Sequence, residues 1–124
     1  MIHYETGSSD TRPWGNWLVL ACGFGFVIKE IIVTPGQILS LQSHEKRSEH
    51  WVIISGRAEV TLHRDVKQCF PNDVVFIPAL AKHRIKNCGD IDLRFIEIQV
   101  GEVLSEDDIE RYEDRYGRAK GVEL

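Results

Sequence analysis

Pro35-Gly36-Gln37-Ile38-Leu39-Ser40-Leu41-Gln42-Ser43-His44-Glu45-Lys46-Arg47-Ser48-Glu49-His50-Trp51 is the stretch on which the fold of this chain turns. With Gly56 it has the spacing G-x5-Q-x-H-x4-E-x6-G, and a later segment through Asn72, Pro78, His83 and Asn87 has the spacing N-x5-P-x4-H-x3-N. Side chains two apart share one face of a strand, so Gln42 and His44 point the same way and Ser43 points opposite. Glu45 to Ser48 have the length of a turn that returns Glu49 beside them. His83 follows Pro78, where a strand over Val74–Ile77 must stop because proline offers the ladder no donor. Imidazole nitrogens with amide and carboxylate oxygens are the donors that borderline divalent metals accept. The expected ligands are therefore Gln42, His44, Glu49 and His83, converging inside a closed or sandwiched sheet.

Outward from these segments, short apolar or β-branched runs recur: Trp17–Leu20, Phe24–Val33, Ile38–Ser43, Trp51–Ser55, Ala58–His63, Val74–Ile77, Arg84–Lys86 and Leu93–Val100. Turn residues separate them at Thr34-Pro35-Gly36, Ser55-Gly56-Arg57, Pro71-Asn72-Asp73 and Asn87-Cys88-Gly89-Asp90. About eight short strands punctuated in this way predict an all-β barrel or jelly roll. Residues 1–10 are polar and aperiodic, which predicts a loose arm or an edge strand. Ser105 followed by Glu106, Asp107 and Asp108, with Ile109, Tyr112 and Tyr116 at helical spacing, predicts a short C-terminal helix over 105–116.

The two motifs resemble those of the cupin superfamily, with three departures: Gln42 for the first histidine, and Asn72 and Leu80 for glycines. Asn72 suits a left-handed turn. A second resemblance spans nearly the whole chain, to the C-terminal isomerase domain of type II mannose-6-phosphate isomerases. It rests on Arg12-Pro13-Trp14-Gly15, the opening stretch above, Ile77-Pro78-Ala79, His83-Arg84, Ile96-Glu97-Ile98-Gln99, Gly101 to Ile109, and Tyr116-Gly117-Arg118. Where that family commonly continues with histidines after His44, this chain has Glu45 and Lys46. The resemblance implies a cupin-type double-stranded β-helix and one divalent ion, zinc, manganese, cobalt, nickel or iron. It also implies interconversion of mannose 6-phosphate and fructose 6-phosphate. The alternatives are a non-catalytic cupin that binds a sugar phosphate, and an oxygen-dependent cupin chemistry that Gln42 disfavours.

The chain has 124 residues, 43% of them hydrophobic, enough for a single cupin domain over residues 1–124. No glycine-rich nucleotide-binding segment is present, so guanylyl transfer is not expected of this chain. A net charge of −4 makes nucleic acid an unfavourable partner. Cys22, Cys69 and Cys88 lack C-x-x-C spacing and read as reduced thiols. No signal-like or membrane-length apolar run occurs, which predicts a cytoplasmic protein with no membrane partner.

For substrate chemistry, Arg47 is the expected phosphate ligand, because its planar fork matches an oxyanion. Lys46 and Arg84 support it, with Lys82 adding positive charge, and Arg12 is either a structural ion-pair partner or a second phosphate contact. Glu97 and Gln99 share one face of the last strand; if that face lines a cavity, Glu97 is the first candidate base, followed by Glu45 and His50. His50 lies one residue from Glu49 and so faces away from it. His3 and His63 read as surface residues, and Trp51, Phe76 and Phe95 as core. Val52 and Ile54 on an outer strand face suggest a homodimer.

Overall fold

The computed structural model describes residues 4–117, and within them all regular structure is β. The strands are β1 (Ser9–Arg12), β2 (Gly15–Gly23), β3 (Phe26–Val33), β4 (Leu41–Ser43), β5 (Arg47–Ser55), β6 (Ala58–Leu62), β7 (Asp65–Cys69), β8 (Val74–Ile77), β9 (His83–Asn87), β10 (Leu93–Gly101) and β11 (Glu110–Glu113). They form a six-stranded sheet ordered β1-β2-β3-β10-β5-β8 and a five-stranded sheet ordered β11-β4-β9-β6-β7, with antiparallel pairing throughout.

The alternation read from the sequence is the alternation that packs. In β3 the buried positions are Val27, Lys29, Ile31 and Val33; in β10 they are Leu93, Phe95, Glu97 and Gln99. At the Leu93/Phe95 end these residues meet Trp51, Ile53, Val60 and Ile85 in the apolar core between the sheets. At the Glu97/Gln99 end the interior turns polar. Registers Glu97↔Trp51 and Gln99↔Glu49 carry the polar half of β10 alongside Glu49, and Gln42↔His83 joins the two motifs across the other sheet.

Several motif positions take up backbone that favours glycine. Gly56 has φ 86°, and a Cβ there would lie 2.8 Å from the carbonyl oxygen of Asp92. Leu80 has φ 72° where the cupin motif has glycine, and its N–H donates to the His44 carbonyl at 2.7 Å. Asn72, the other replacement, sits at φ 78°.

Several expectations are corrected. Residues 105–116 form no helix. Asp108 N donates to Ser105 O at 3.2 Å in a single turn, after which β11 pairs with the otherwise open edge of β4. Residues 4–10 are not loose: Tyr4 is buried against Trp17, Gly7 and Ser8 bond the backbone of Val19, and β1 is the edge strand of its sheet. β7 was not anticipated, because its sequence DVKQC is polar and exposed at four of five positions. Phe76 is outside the core at 51% exposure. His3 and Arg118 lie outside the described residues.

Candidate metal centre

His44 follows β4, Glu49 lies near the start of β5 and His83 opens β9. All three are buried, and one donor atom from each lies within 4.8 Å of the others. His44 Nε2 is 3.1 Å from Glu49 Oε2, and His83 Nε2 is 3.9 Å from Glu49 Oε1. The remaining ring nitrogens are fixed by backbone: His44 Nδ1 lies 2.7 Å from the Asp108 carbonyl and His83 Nδ1 lies 2.9 Å from that of Ala81. A carbonyl only accepts, so each Nδ1 carries the proton and each Nε2 presents a lone pair toward Glu49.

Protonation does not relieve this arrangement. Burial lowers His44 to about 4, outweighing the attraction of Glu49, and burial likewise lowers His83. Burial opposes ionisation of Glu49, yet the Arg47 and His44 neighbours hold its carboxyl well below the usual range. His83 Nε2 and the Glu49 carboxylate thus face each other as acceptors, and the nearest donor to the third, His44 Nε2, is Arg47 Nη2 at 3.3 Å. A divalent cation satisfies such a set, and two nitrogens with a carboxylate oxygen are ordinary donors for one.

The carboxylate of Glu49 is also gripped from behind. Arg47 Nε and Nη2 each lie 2.9 Å from Oε2, and Trp51 Nε1 donates to Oε1 at 2.9 Å. Glu97 adds a hydrogen bond to it. Burial first, then the charge of Glu49, pushes the Glu97 carboxyl up to about 8, which favours its protonated form beside the Glu49 carboxylate. Gln99 Nε2 donates to Glu97 at 3.1 Å, while Gln99 Oε1 is buried without a partner.

Gln42 lines the same inner cavity as Glu49, His83 and Glu97. Its amide nitrogen is tied to Ser40 Oγ at 2.9 Å, which leaves the amide oxygen as the potential donor.

Of the other expected site residues, Arg84 lines the inner cavity with Gln42, Glu49, His83 and Glu97, Arg47 lines the cleft, and Glu45, Lys46 and His50 lie apart from both. Arg47 reaches the cleft, but its guanidinium is engaged by Glu49 and, through Nη1, by the Ser105 carbonyl at 3.2 Å, so it is an interior clamp rather than an open phosphate fork. Glu45 and Lys46 are exposed in a groove with Val100 and Glu102 that does not include the three metal donors; their N–H groups bond the Asp108 carboxylate at 2.9 and 3.0 Å. His50 faces outward against Phe76, with ring centroids 4.8 Å apart. Arg84 donates to Leu39 O at 3.2 Å and pairs with Glu113 at 3.0 Å. Lys82 lies 4.3 Å from the centroid of the Tyr112 ring, and His63 is exposed.

A narrow cleft of about 70 Å³ leads in from the surface, lined by His44, Gln42, Arg47 and Glu97 at one end and by Arg12, Lys29 and Glu106 at the other. Lys29 and Glu106 were not anticipated as site residues. The signal for Lys29 was present, since it falls in phase with Val27, Ile31 and Val33.

A jelly-roll barrel with a buried two-histidine, one-carboxylate cluster is a cupin in class, and that cluster could hold a metal ion. The family described as "Mannose-6-phosphate isomerase C-terminal" matches residues 3–114, and the chain belongs to it. The alginate biosynthesis protein AlgA of Pseudomonas fluorescens is 48% identical over 112 residues, 90% of this chain and 23% of that protein. The mannose-1-phosphate guanylyltransferase ManC of Salmonella typhimurium is 45% identical over 107 residues, 86% of this chain and 22% of that protein. The chain thus spans less than a quarter of the curated relatives it matches. Among solved structures, the cupin-2 domain Rru_A2000 of Rhodospirillum rubrum superposes with TM-score 0.65 at 26% identity, over 75% of this chain and 67% of that one. KdgF from Halomonas sp. superposes with TM-score 0.72 at 18% identity, over 80% and 88% respectively.

These findings correct the functional expectation. The relatives' names speak of alginate biosynthesis and of guanylyl transfer to mannose 1-phosphate by proteins more than four times as long. Neither interconversion of mannose 6-phosphate and fructose 6-phosphate nor passive sugar binding is what those names carry. Among the described residues no helix is long and apolar enough to cross a membrane.

Proposed function

We propose that this chain is the metal-centred cupin module of a mannose-phosphate-pathway enzyme, acting on a phosphorylated sugar by moving a proton at a carbon beside a carbonyl. The observation that carries this reading is the Glu97 carboxyl, buried, held by Gln99 and lining both the open cleft with His44 and the inner cavity with Glu49 and His83. His44, Glu49 and His83, with the Gln42 oxygen as a fourth donor, would hold a borderline divalent ion such as zinc, manganese, cobalt, nickel or iron. When bound, such an ion polarises a carbonyl and stabilises the oxyanion that develops as the neighbouring carbon loses its proton.

The protein's own residues supply the rest. Glu97 exchanges the proton, and its raised affinity suits it to both giving and taking near neutral pH. Gln99 orients Glu97 from one side, and Arg47 and Trp51 fix Glu49 from the other, so the ligand carboxylate does not turn when its charge is shared. Trp51, Phe95 and Ile85 wall the inner cavity and keep water from it.

The test is solvent exchange. Metal-loaded protein is incubated in D₂O with a panel of aldose and ketose phosphates, and deuterium entering the carbon next to the carbonyl is read by NMR. Metal-dependent incorporation that Glu97→Gln lowers at least ~100-fold is expected, in line with the usual contribution of a positioned acid–base group. Exchange unaffected by Glu97→Gln would remove the reading.

A further inference from the structure

The outer end of the cleft holds a second cluster that the metal centre does not use. Lys29 is 3% exposed, and its Nζ lies 4.3 Å from the centroid of the Tyr4 ring and 4.2 Å from that of Trp17. The same nitrogen is 3.2 Å from the Tyr4 hydroxyl and 3.1 Å from Glu106 Oε2. Arg12 Nη2 reaches Glu106 Oε1 at 3.3 Å, and the Tyr4 hydroxyl donates to Oε2. One carboxylate is therefore held by an ammonium, a guanidinium and a phenol, all set into the cleft wall.

A buried ammonium is costly unless an anion lies beside it. Lys29 meets that need through a residue whose own side chain is 42% exposed, at the cleft mouth. The loop carrying Glu106 is pinned on both sides of it, by Ser105 O to Arg47 and by Asp108 O to His44. Only the Glu106 side chain has to rotate into water to vacate the position. The donors it leaves, the buried Lys29 and Tyr4 and the half-buried Arg12 on β1, match the tetrahedral oxygens of a phosphate better than the two oxygens of a carboxylate.

We infer that Lys29, Arg12 and the Tyr4 hydroxyl form an anion subsite, that Glu106 fills it in the free protein, and that the phosphate end of the substrate displaces Glu106 while its other end reaches Glu97. This rests on the phosphorylated substrate proposed above. It differs from the sequence expectation in placing the phosphate on β1 and β3 rather than on Arg47, Lys46 and Arg84.

The test is calorimetric titration of the metal-loaded full chain with inorganic phosphate, in wild type, Lys29→Met, Arg12→Gln, Glu106→Gln and His83→Ala. Lys29→Met is expected to weaken binding at least ~10-fold and Arg12→Gln by roughly 3–10-fold. Glu106→Gln, which removes the competing charge, is expected to tighten it by about 10-fold. Should Lys29→Met fail to fold by circular dichroism, the Arg12 and Glu106 variants carry the same contrast. Phosphate binding that ignores all three variants, or that disappears only in His83→Ala, overturns the subsite. Deuterium exchange separates the two readings. Exchange that persists in Lys29→Met with an unchanged KM sinks the subsite alone; phosphate binding that follows these residues without exchange on any sugar phosphate supports the subsite and sinks the proton-transfer reading.

Discussion

At the scale of single residues, the account rests on protonation states that can be read out. His44 has its affinity for protons lowered to about 4, so as pH falls below the ordinary histidine range the unfolded chain binds a proton that the folded one refuses. Folded stability therefore declines from about pH 6.5 toward 4, and His83 contributes in the same direction. Glu97 acts on the other side. Its carboxyl is raised to about 8, so the unfolded chain loses that proton first, and stability declines as pH rises from the ordinary carboxylate range through about 8. Metal-free protein is expected to show both limbs in thermal denaturation, with Glu97→Gln flattening the alkaline one; an alkaline limb unchanged in that variant would contradict the assignment. Leu80 gives a prediction independent of the site. A leucine at φ 72°, 67% exposed, bears the steric cost of left-handed backbone and buries little in return. Leu80→Gly is expected to stabilise the fold by about 0.5–1 kcal/mol in chemical denaturation, after allowing for the extra entropy of glycine in the unfolded chain.

Among elements, the alternating strands were legible because burial enforces period two: β3, β5 and β10 each put the expected residues inside. The same rule made Glu97 and Gln99 readable as a polar face, but not whether that face met solvent or a cavity, since this depends on the partner sheet. β7 lacks apolar alternation because its side chains face solvent. β11 carries apolar residues at spacings that a helix and a strand share over so short a run, and the open edge of β4 decides between them. The grip of Tyr4 on Glu106, 102 positions apart, has no local signature at all. The loop between β10 and β11 is the element on which the site leans. Its Asp108 bonds two backbone N–H groups through its carboxylate and His44 through its carbonyl. Asp108→Ala is expected to cost about 1–2 kcal/mol by leaving those donors unpaired, and to weaken metal binding by roughly 10-fold through looser placement of His44. Stability lost without any change in metal affinity would mean that the loop supports the fold alone.

For the whole molecule, the barrel divides its labour along its axis: an apolar core at one end, a polar centre at the other, and a cleft rimmed by Arg12, Lys29 and Glu106. The outer face of the six-stranded sheet presents Ile54, Val74, Phe76 and Val100, all exposed and apolar. We propose that a second copy covers it, and sedimentation velocity checks this, with a dimer expected for wild type and a monomer for Phe76→Glu. The central claim, however, is that His44, Glu49 and His83 form one metal site. It is tested most directly by titrating chelator-stripped protein with zinc or manganese and counting equivalents bound, for wild type, His44→Ala and His83→Ala. One ion per chain in wild type, with affinity at least ~100-fold lower in each variant, is expected. Stoichiometric binding that survives in both variants, or no binding by wild type near neutral pH, would contradict it.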